Sequence, residues 1–293
     1  MDMADDISEF LSTRRARLTP EEVGLPNFGA RRVKGLRREE VASLAGVSAD
    51  YYKRMERGNL AGASEMVLEA IARALQLDDA ERAHLLDLAR AANPGAPRRS
   101  RPTPKRVRPV IQRILDALDT PAMVRNGRFD VLATNRLGRA LYAPIIESRE
   151  QPANTARFLF LDPAGAEFFA DWDRAANDTV AFLRSEAGRN PYDRELSNLI
   201  GELSTRSDEF RVRWGAHNVR FHRAGIKHLH HPLVGELQLN FEAMQLTADP
   251  GLLMNIYSAE PDSKSEQSLR ILDSWSASDG HAADPSVNQP KTG

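Results

Sequence analysis

The segment LRREEVASLAGVSADYYKRMERG, residues 36–58, restricts the fold of this chain more than any other part of its sequence. Apolar residues at helical spacing predict one helix before Gly46 and another after it. Gly46 can take the left-handed conformation that reverses the chain, Val47 can fill the angle between the helices, and Ser48 can cap the second helix. The sequence therefore predicts two short helices joined by a tight turn.

The second of these helices is predicted to have one buried side and one polar side. Tyr52 and Met55, three residues apart, would both face the interior. The opposite side then carries Ala49, Asp50, Lys53 and Arg54. One interpretation is an ordinary helix pair with a solvated charged face, and the other is a surface that enters a DNA groove.

Two basic runs without acidic residues favour the DNA-binding interpretation. RRVKGLRR, residues 31–38, leads into the first helix of the pair, and RRSRPTPKRVR covers residues 98–108. Elsewhere many basic residues lie close to carboxylates, and the formal net charge of the chain is only -1. The two runs are therefore candidate phosphate contacts.

Local composition divides the chain into two predicted domains. Residues 8–92 carry several segments with helical periodicity. The stretch NPGAPRRSRPTPK, residues 93–105, contains four prolines and one glycine, which predicts a linker. Residues 106–274 would form the second domain, and residues 275–293 have too few apolar side chains to fold alone, which predicts a disordered tail.

The second domain is predicted to contain both helices and an antiparallel sheet. Alternating apolar residues on either side of Asn126-Gly127 predict a hairpin with a tight turn at that dipeptide. Helical segments follow, and then strands separated by turn signals near residues 224–225, 232–235 and 249–251. This order predicts an α+β fold overall, with an all-α first domain and helices on one face of the sheet in the second. Such a layered domain can enclose a small-molecule pocket.

Composition excludes several classes of function. The chain has no cysteine, which rules out disulfides, thiol nucleophiles and cysteine metal sites. The acidic start MDMADDISEF and the lack of a long apolar run predict no secretory signal and no membrane span, and hence a cytoplasmic protein. We predict no cofactor.

Histidines and serines in the second half are candidate metal ligands or catalytic groups. His228 and His230 would share one face of a strand while His231 would point to the other, and no carboxylate pattern completes a metal site, so His231 is interpreted as structural. Ser204, Ser207, Asp208 and His217 are close in sequence. No nucleophile elbow, phosphate loop or dinucleotide motif accompanies them, so we predict no catalytic residue, no metal and no enzyme activity.

Residues 8–92 resemble the lambda-repressor-like, or Xre-type, helix-turn-helix family, through LRREEVASLAGVSADYYKRMERG and the following SEMVLEAIARAL. The resemblance implies a DNA-binding set, which is Arg37, Arg38, Ser48, Ala49, Asp50, Tyr51, Lys53 and Arg54. Within it, phosphate contacts are implied for Arg38, Ser48 and Lys53. Base-edge contacts are implied for Ala49, Asp50 and Arg54, and the guanidinium fork of Arg54 could bond O6 and N7 of guanine. The segment TPEEVGLPNFGARRVKG joins the first helix of the chain to the helix that precedes Gly46. It is longer than the turn that compact members of the family have at this place.

The second half resembles the ligand-binding domain of MmyB-like transcription regulators, which has a PAS-like fold. The segments that carry this resemblance are PAMVRNGRFDVLATN, NTARFLFLDP, DWDRAANDTVAFLRSEA, GELSTRSDEFRVRWGAHNVR and HHPLVGELQLNFEAM. In that family the cavity is thought to receive a small, largely apolar ligand such as a fatty acid. The resemblance implies a regulator that binds double-stranded DNA and senses such a ligand. The alternative is a second domain that serves only dimerisation or docking of a protein partner.

Five side chains of the second half are candidate ligand contacts: Asn135, Arg157, Trp172, Trp214 and His217. Arg157 could pair with an acidic head group, or equally with a nearby aspartate. For the two tryptophans a core position is favoured over a pocket position, and His217 is interpreted as a buried or pocket polar group. Because one short recognition helix reads few base pairs, we also predict a homodimer on a palindromic site.

Overall fold

The computed structural model describes residues 3–26, 35–92, 106–148, 152–215 and 224–282. These residues belong to two compact units. Unit 1 comprises Met1–Ser100, Val180–Ile200 and Arg211–Phe221, and unit 2 comprises Arg101–Thr179, Gly201–Phe210 and His222–Gly293. Unit 1 thus includes two segments from the second half of the chain, which the predicted division at residues 93–105 did not anticipate. The predicted linker itself lies outside the described residues.

The amino-terminal part of unit 1 is helical, as predicted. Its helices are α1 (Met3–Arg17), α2 (Arg38–Ala45), α3 (Ala49–Glu56), α4 (Glu65–Ala74) and α5 (Asp79–Ala92), with a 3₁₀ helix at Glu21–Val23. Ser48 and Ser64 cap α3 and α4, because each hydroxyl accepts a hydrogen bond from a backbone N–H of the first turn. The apolar faces of the five helices share one core, in which Phe10, Tyr52 and Leu85 are fully buried.

The remaining helices described are α6 (Pro109–Asp116), α7 (Arg136–Leu141), α8 (Ala143–Ile146), α9 (Thr155–Leu161), α10 (Pro163–Phe168), α11 (Trp172–Arg189), α12 (Arg194–Arg206), α13 (Asp208–Gly215) and α14 (Lys264–Ala282). The strands are β1 (Ala122–Asn126), β2 (Val131–Thr134), β3 (Ala224–His231), β4 (Gly235–Gln245) and β5 (Leu252–Ser258). They form one antiparallel sheet in the order β2-β1-β5-β4-β3. The predicted α+β class is confirmed.

Helices cover both faces of the sheet in unit 2, and not one face as predicted. Ile111 and Leu115 of α6 pack with Val124 and Met254 on one face. The other face packs against α7 to α10 and α14 through a larger cluster that includes Phe168. The reason is visible in β1, which is buried along its whole length because its side chains on both faces are mostly apolar.

The turn between β1 and β2 differs from the predicted two-residue turn. The left-handed residue is Phe129, with φ of 66°, and not Gly127. The side-chain oxygen of Asn126 accepts hydrogen bonds from the backbone N–H groups of Arg128 and Asp130, at 2.9 and 3.0 Å. Because the Asn126 side chain accepts these backbone N–H groups, the loop can be longer than the Asn126-Gly127 dipeptide alone predicts.

The chain remains helical beyond Trp275, where the tail was predicted to begin. Leu269 and Leu272 of α14 pack into the core of unit 2. Arg136 donates to the Asp273 carboxylate at 2.6 Å and to the Ser276 hydroxyl at 2.8 Å. These contacts hold the helix at residues 273–276. Helix α14 continues to Ala282, within the segment predicted as a tail, and residues 283–293 lie outside the described part. No helix in the described ranges is long and apolar enough to cross a membrane.

Candidate nucleic-acid interface and ligand site

The turn between α2 and α3 is built as the sequence predicted. Gly46 has φ of 67° and its N–H donates to carbonyls of the last turn of α2. The N–H of Val47 donates to the Ala42 carbonyl at 2.9 Å. The Ser48 hydroxyl then accepts from the N–H of Tyr51 at 3.1 Å. These local bonds fix the angle at which α3 leaves α2.

The outer side of α3 is exposed in the described structure. Tyr52 and Met55 are buried in the core, as predicted. The predicted outer residues Ala49, Asp50, Lys53 and Arg54 are all exposed. The Arg54 guanidinium lies 4.8 Å from the centre of the Tyr51 ring, which restricts its motion without removing its donors from solvent. This surface has the shape and the donors of a DNA-reading helix.

A buried carboxylate, which the sequence did not indicate, holds α3 in place. The Glu56 side chain is 1% exposed and accepts from Arg15 of α1 at 2.8 Å and from Arg38 of α2 at 3.2 Å. Burial raises the pKa of Glu56, but the hydrogen bonds and charges of the two arginines outweigh it and leave the pKa below its ordinary value. Three helices are therefore tied together at the carboxyl end of the recognition helix.

This network gives Arg38 a structural role in addition to the predicted phosphate contact. Its side chain is 46% exposed, so its guanidinium pairs with Glu56 while part of it still faces solvent. The neighbouring Arg37 is exposed, and its backbone N–H donates to the Glu40 carboxylate at 2.6 Å. Arg31, Arg32 and Lys34 of the first basic run lie outside the described residues.

Unit 2 contains a group of buried polar side chains between its sheet and its helices, here called the tyrosine cluster: Arg125, Tyr142, Asn255 and Tyr257. The two tyrosine hydroxyls are 3.0 Å apart, and the Asn255 amide N–H donates to the Tyr257 hydroxyl at 3.4 Å. Burial raises the pKa of both tyrosines, and the positive charge of Arg125 opposes that effect. Both hydroxyls therefore stay protonated at neutral pH.

A small cleft in unit 2 lies between β3 and the first turns of α11. Its lining residues are Phe169, Asp171, Arg174, Ala175, Asp178, Ile226, Lys227 and His228, and it has room for about one water molecule. Burial lowers the pKa of Lys227 to about 8, with Asp178 opposing this shift and Arg125 adding to it. The cleft and the tyrosine cluster are thus within electrostatic range of each other.

Residues 107–272 match the family model described as MmyB-like transcription regulator ligand binding domain. This match covers more than half of the chain. The chain belongs to the MmyB-like transcription regulators. Residues 6–85 match a helix-turn-helix domain model. No curated protein matches the sequence. The MmyB-like regulator is thus a DNA-binding transcription regulator with a ligand-binding domain, and both matched families are non-enzymatic.

The candidate ligand residue Asn135 has a structural role in this MmyB-like regulator. Its side-chain oxygen accepts from the N–H of Gly138 at 2.7 Å and of Ala122 at 3.0 Å. Its amide nitrogen donates to the carbonyls of Leu118 and Thr120, at 3.1 and 2.7 Å. All of its usual hydrogen bonds are made within the protein, which leaves none for a ligand.

The other candidates are also engaged within the MmyB-like regulator. Arg157 forms an ion pair with Glu202, a residue far from it in sequence, at 2.9 Å. The Trp172 N–H donates to the Leu159 carbonyl at 3.0 Å. Trp214 belongs to unit 1, where the Arg184 guanidinium lies 4.1 Å from its ring centre. His217 lies outside the described residues.

The histidines of β3 are arranged as predicted. His228 and His230 are exposed on one face, and His231 is buried on the other. The His231 ring nitrogen Nε2 lies 3.1 Å from the Ala140 carbonyl, and Nδ1 accepts from the Leu233 N–H at 3.3 Å. Burial lowers the pKa of His231, which favours the neutral ring that these two bonds require. Its structural interpretation is confirmed.

The sequence did carry a signal for the tyrosine cluster. Arg125 interrupts the apolar strand β1, and Asn255 interrupts the apolar strand β5. A polar side chain on a strand that is buried on both faces needs a hydrogen-bond partner inside the protein. That signal identifies the residues, whereas their meeting with Tyr142 depends on the tertiary fold.

Proposed function

We propose that this MmyB-like regulator is a one-component, Xre-type regulator of the cytoplasm, whose PAS-like second domain senses a small, largely apolar ligand such as a fatty acid. The observation that carries the proposal is the occurrence in one chain of an exposed recognition helix and a ligand-binding domain. A sensor attached to a DNA reader is useful when the ligand binds more tightly to one DNA-binding state than to the other.

The recognition surface supports sequence-specific contacts with double-stranded DNA. In this proposal Arg54 reads a base edge, with Ala49 and Asp50 beside it, while Lys53 and Ser48 contact phosphates. Arg37, Tyr51 and Arg38 flank these contacts at the starts of α2 and α3. A helix start favours phosphate oxygens because its first N–H groups lack partners within the helix.

Helix α11 supports a route from the ligand to the DNA-binding unit within one chain. Its first turns belong to unit 2, and its last turns belong to unit 1. Within unit 1, Arg189 donates to the Asp87 carboxylate of α5 at 3.1 Å. A side chain added at Gly188 would lie 2.8 Å from the His84 ring, so α11 and α5 are closely packed there. A shift of α11 caused by ligand would therefore reach α5.

The packing of unit 2 sets a condition on ligand binding. Among the described residues, the space between the sheet and its helices is filled by side chains such as Phe158, Phe168 and Phe241. A ligand with a hydrocarbon tail must displace some of them, and this displacement supplies the conformational change that regulation needs. The same dense packing favours the second candidate, in which the domain serves dimerisation or partner docking alone.

Two measurements separate the candidates. Mass spectrometry of organic extracts from the purified protein should show a bound small molecule if the domain is a sensor. Calorimetry with a series of fatty acids, repeated with operator DNA present, should give two different ligand affinities, with a coupling free energy of about 1–3 kcal/mol. Equal affinities would contradict regulation, and the absence of any bound ligand would favour the docking candidate.

A further inference from the structure

We propose that the cleft between β3 and α11 is a covalent binding site for aldehydes of one or two carbons, which condense with the side-chain amine of Lys227 to form an imine. The inference concerns the chemistry of one side chain in a described cleft. It therefore stands or falls independently of the apolar ligand proposed above.

Lys227 lies on the core-facing side of β3, at the edge of the sheet. The neighbouring residues on that side of the strand, Leu229 and His231, are both buried. Lys227 is partly buried and lines the cleft, and its Nζ atom lies 4.9 Å from the centre of the Phe241 ring on β4. The amine is thus held beside a buried aromatic ring at a cleft, in contrast to a lysine that extends into bulk water.

The charges around Lys227 balance one another. The Lys227 amine has no hydrogen bond or ion pair with any residue in the described ranges. Two carboxylates and two guanidiniums surround it, those of Asp171, Asp178, Arg174 and Arg125. The other titratable group among the described lining residues is the exposed imidazole of His228. Because the four charges cancel, they do not offset the cost of placing an ammonium ion in this partly buried position.

The free amine is accordingly more abundant than in an ordinary lysine. Burial lowers the pKa of Lys227 to about 8, with Asp178 opposing this shift and Arg125 and Arg174 adding to it. At pH 7 about one amine in ten is then unprotonated, against fewer than about one in a thousand for a lysine with the ordinary pKa of about 10.4. The unprotonated amine is the form that attacks carbonyl carbons, and desolvated lysines form Schiff bases for this reason.

The reaction needs no other reactant. The lone pair of the Lys227 nitrogen forms a bond to the carbonyl carbon, and the carbonyl oxygen takes up a proton from the nitrogen, which gives a carbinolamine. The hydroxyl group then leaves as water with the second nitrogen proton, and a C=N double bond forms. One amine and one aldehyde thus give one imine and one water. The imine nitrogen is neutral, which suits a cleft whose surrounding charges already cancel.

The cleft limits the size of the aldehyde. It has room for about one water molecule between side chains that include Phe169, Ala175 and Ile226. Phe169 and Ala175 are buried, whereas Ile226 is 37% exposed. A carbonyl group that carries a hydrogen or a methyl group is close to this size, and one that carries a tert-butyl group is too large.

Reductive alkylation of the full chain tests the site. Acetaldehyde with sodium cyanoborohydride converts each imine to ethyl-lysine, which peptide mass spectrometry locates. At pH 7 we expect Lys227 to be labelled about tenfold faster, or more, than the exposed Lys53 and Lys264. The ratio should shrink as the pH is raised to about 10, because ordinary lysines then also lose their proton. Equal rates at pH 7 would overturn the proposal.

Pivaldehyde, a branched aldehyde with a tert-butyl group, separates the effect of the cleft from that of basicity. The reference is the amino-terminal amine, because such amines ordinarily have a pKa of about 7.7–8.0, close to that of Lys227. Relative to this reference, labelling of Lys227 should fall about tenfold or more when pivaldehyde replaces acetaldehyde. An unchanged ratio would show that Lys227 reacts as a surface amine, and no binding site would remain.

Two matched substitutions locate the size limit. Ile226→Ala widens the cleft and should allow pivaldehyde to label Lys227. Ile114→Ala is the control, because Ile114 is a 46% exposed isoleucine of α6 that does not line the cleft, and this variant should exclude pivaldehyde as the wild type does. The assignment to this cleft is wrong if Ile226→Ala still excludes pivaldehyde, or if both variants admit it equally.

Discussion

At the scale of single residues, two exposed arginines of the recognition surface differ in what holds them. Within the described residues Arg54 contacts the Tyr51 ring, and its side chain is exposed. Arg38 shares the Glu56 carboxylate with Arg15. We therefore expect a substitution at Arg54 to affect DNA recognition alone, and a substitution at Arg38 to affect both the proposed phosphate contact and the support of α3.

Arg54→Ala should reduce discrimination among DNA sequences by about 1–3 kcal/mol at one base pair of the operator, because the proposed bidentate contact to guanine would be lost. Lys53→Ala should weaken binding to all duplexes alike and lower the dependence of affinity on salt by about one released counterion. Both affinities can be measured by fluorescence anisotropy with operator and scrambled duplexes. Equal discrimination by Arg54→Ala and wild type would contradict the base-reading role.

Arg38→Ala should resemble Lys53→Ala in DNA binding but should also lower the thermal stability, because Glu56 loses one of two cationic partners. Lys53→Ala is the control, since its melting temperature should equal that of the wild type. A normal melting temperature for Arg38→Ala would show that the ion pair contributes nothing to the position of α3.

Glu56 gives the stability a predictable pH dependence. Its pKa in the folded protein is lowered, so its contribution is present above the unfolded pKa of about 4.3 and is lost as the pH falls through the folded value. Glu56→Gln should destabilise the protein by roughly 3 kcal/mol at neutral pH, because Arg15 and Arg38 lose a buried counter-charge. In urea titrations the difference from wild type should shrink below about pH 4. A difference that stays constant in acid would contradict this account.

At the scale of elements, the sequence predicts those features that depend on contacts between residues close together in the chain. Gly46 and Ser48 form the predicted turn and cap because their bonds reach only a few residues along the chain. The role of Asn135 could not be predicted, since its partners at Leu118, Thr120 and Ala122 meet it only in the folded domain. The same applies to the packing of α11 on α5, because helical periodicity shows that a face is buried but not what buries it.

Gly188 and Gly201 allow this packing to be tested with matched helical substitutions. Gly201 lies in the interior of α12 and Gly188 lies next to the last residue of α11, and in a helix Gly→Ala alone should stabilise by up to about 1 kcal/mol. A Cβ at Gly201 meets nothing within 4 Å, whereas at Gly188 it would lie 2.8 Å from two atoms of the buried His84 ring. Gly201→Ala should therefore raise the melting temperature, and Gly188→Ala should lower it. Equal increases in both variants would show that α11 does not press against α5 in solution.

At the scale of the whole molecule, the size of the recognition surface argues for a two-fold symmetric complex with DNA. Helix α3 has only eight residues, and its exposed side offers few groups that can read bases. A single copy would distinguish only a short sequence, which occurs too often in a genome to be useful. Two copies related by a two-fold axis double the number of base pairs that are read, and both copies use the same contacts.

We therefore expect the protein to bind as a homodimer to a palindromic or nearly palindromic operator. Footprinting should show two protected half-sites whose centres are one helical turn apart, about 34–36 Å, or a multiple of it. Sedimentation of the complex should give two chains per duplex. Moving one half-site by about five base pairs places it on the opposite face of the duplex and should sharply weaken binding, whereas moving it by a full turn should weaken binding less. Protection of a single half-site by one chain, with an affinity equal to that for the full operator, would contradict the dimer.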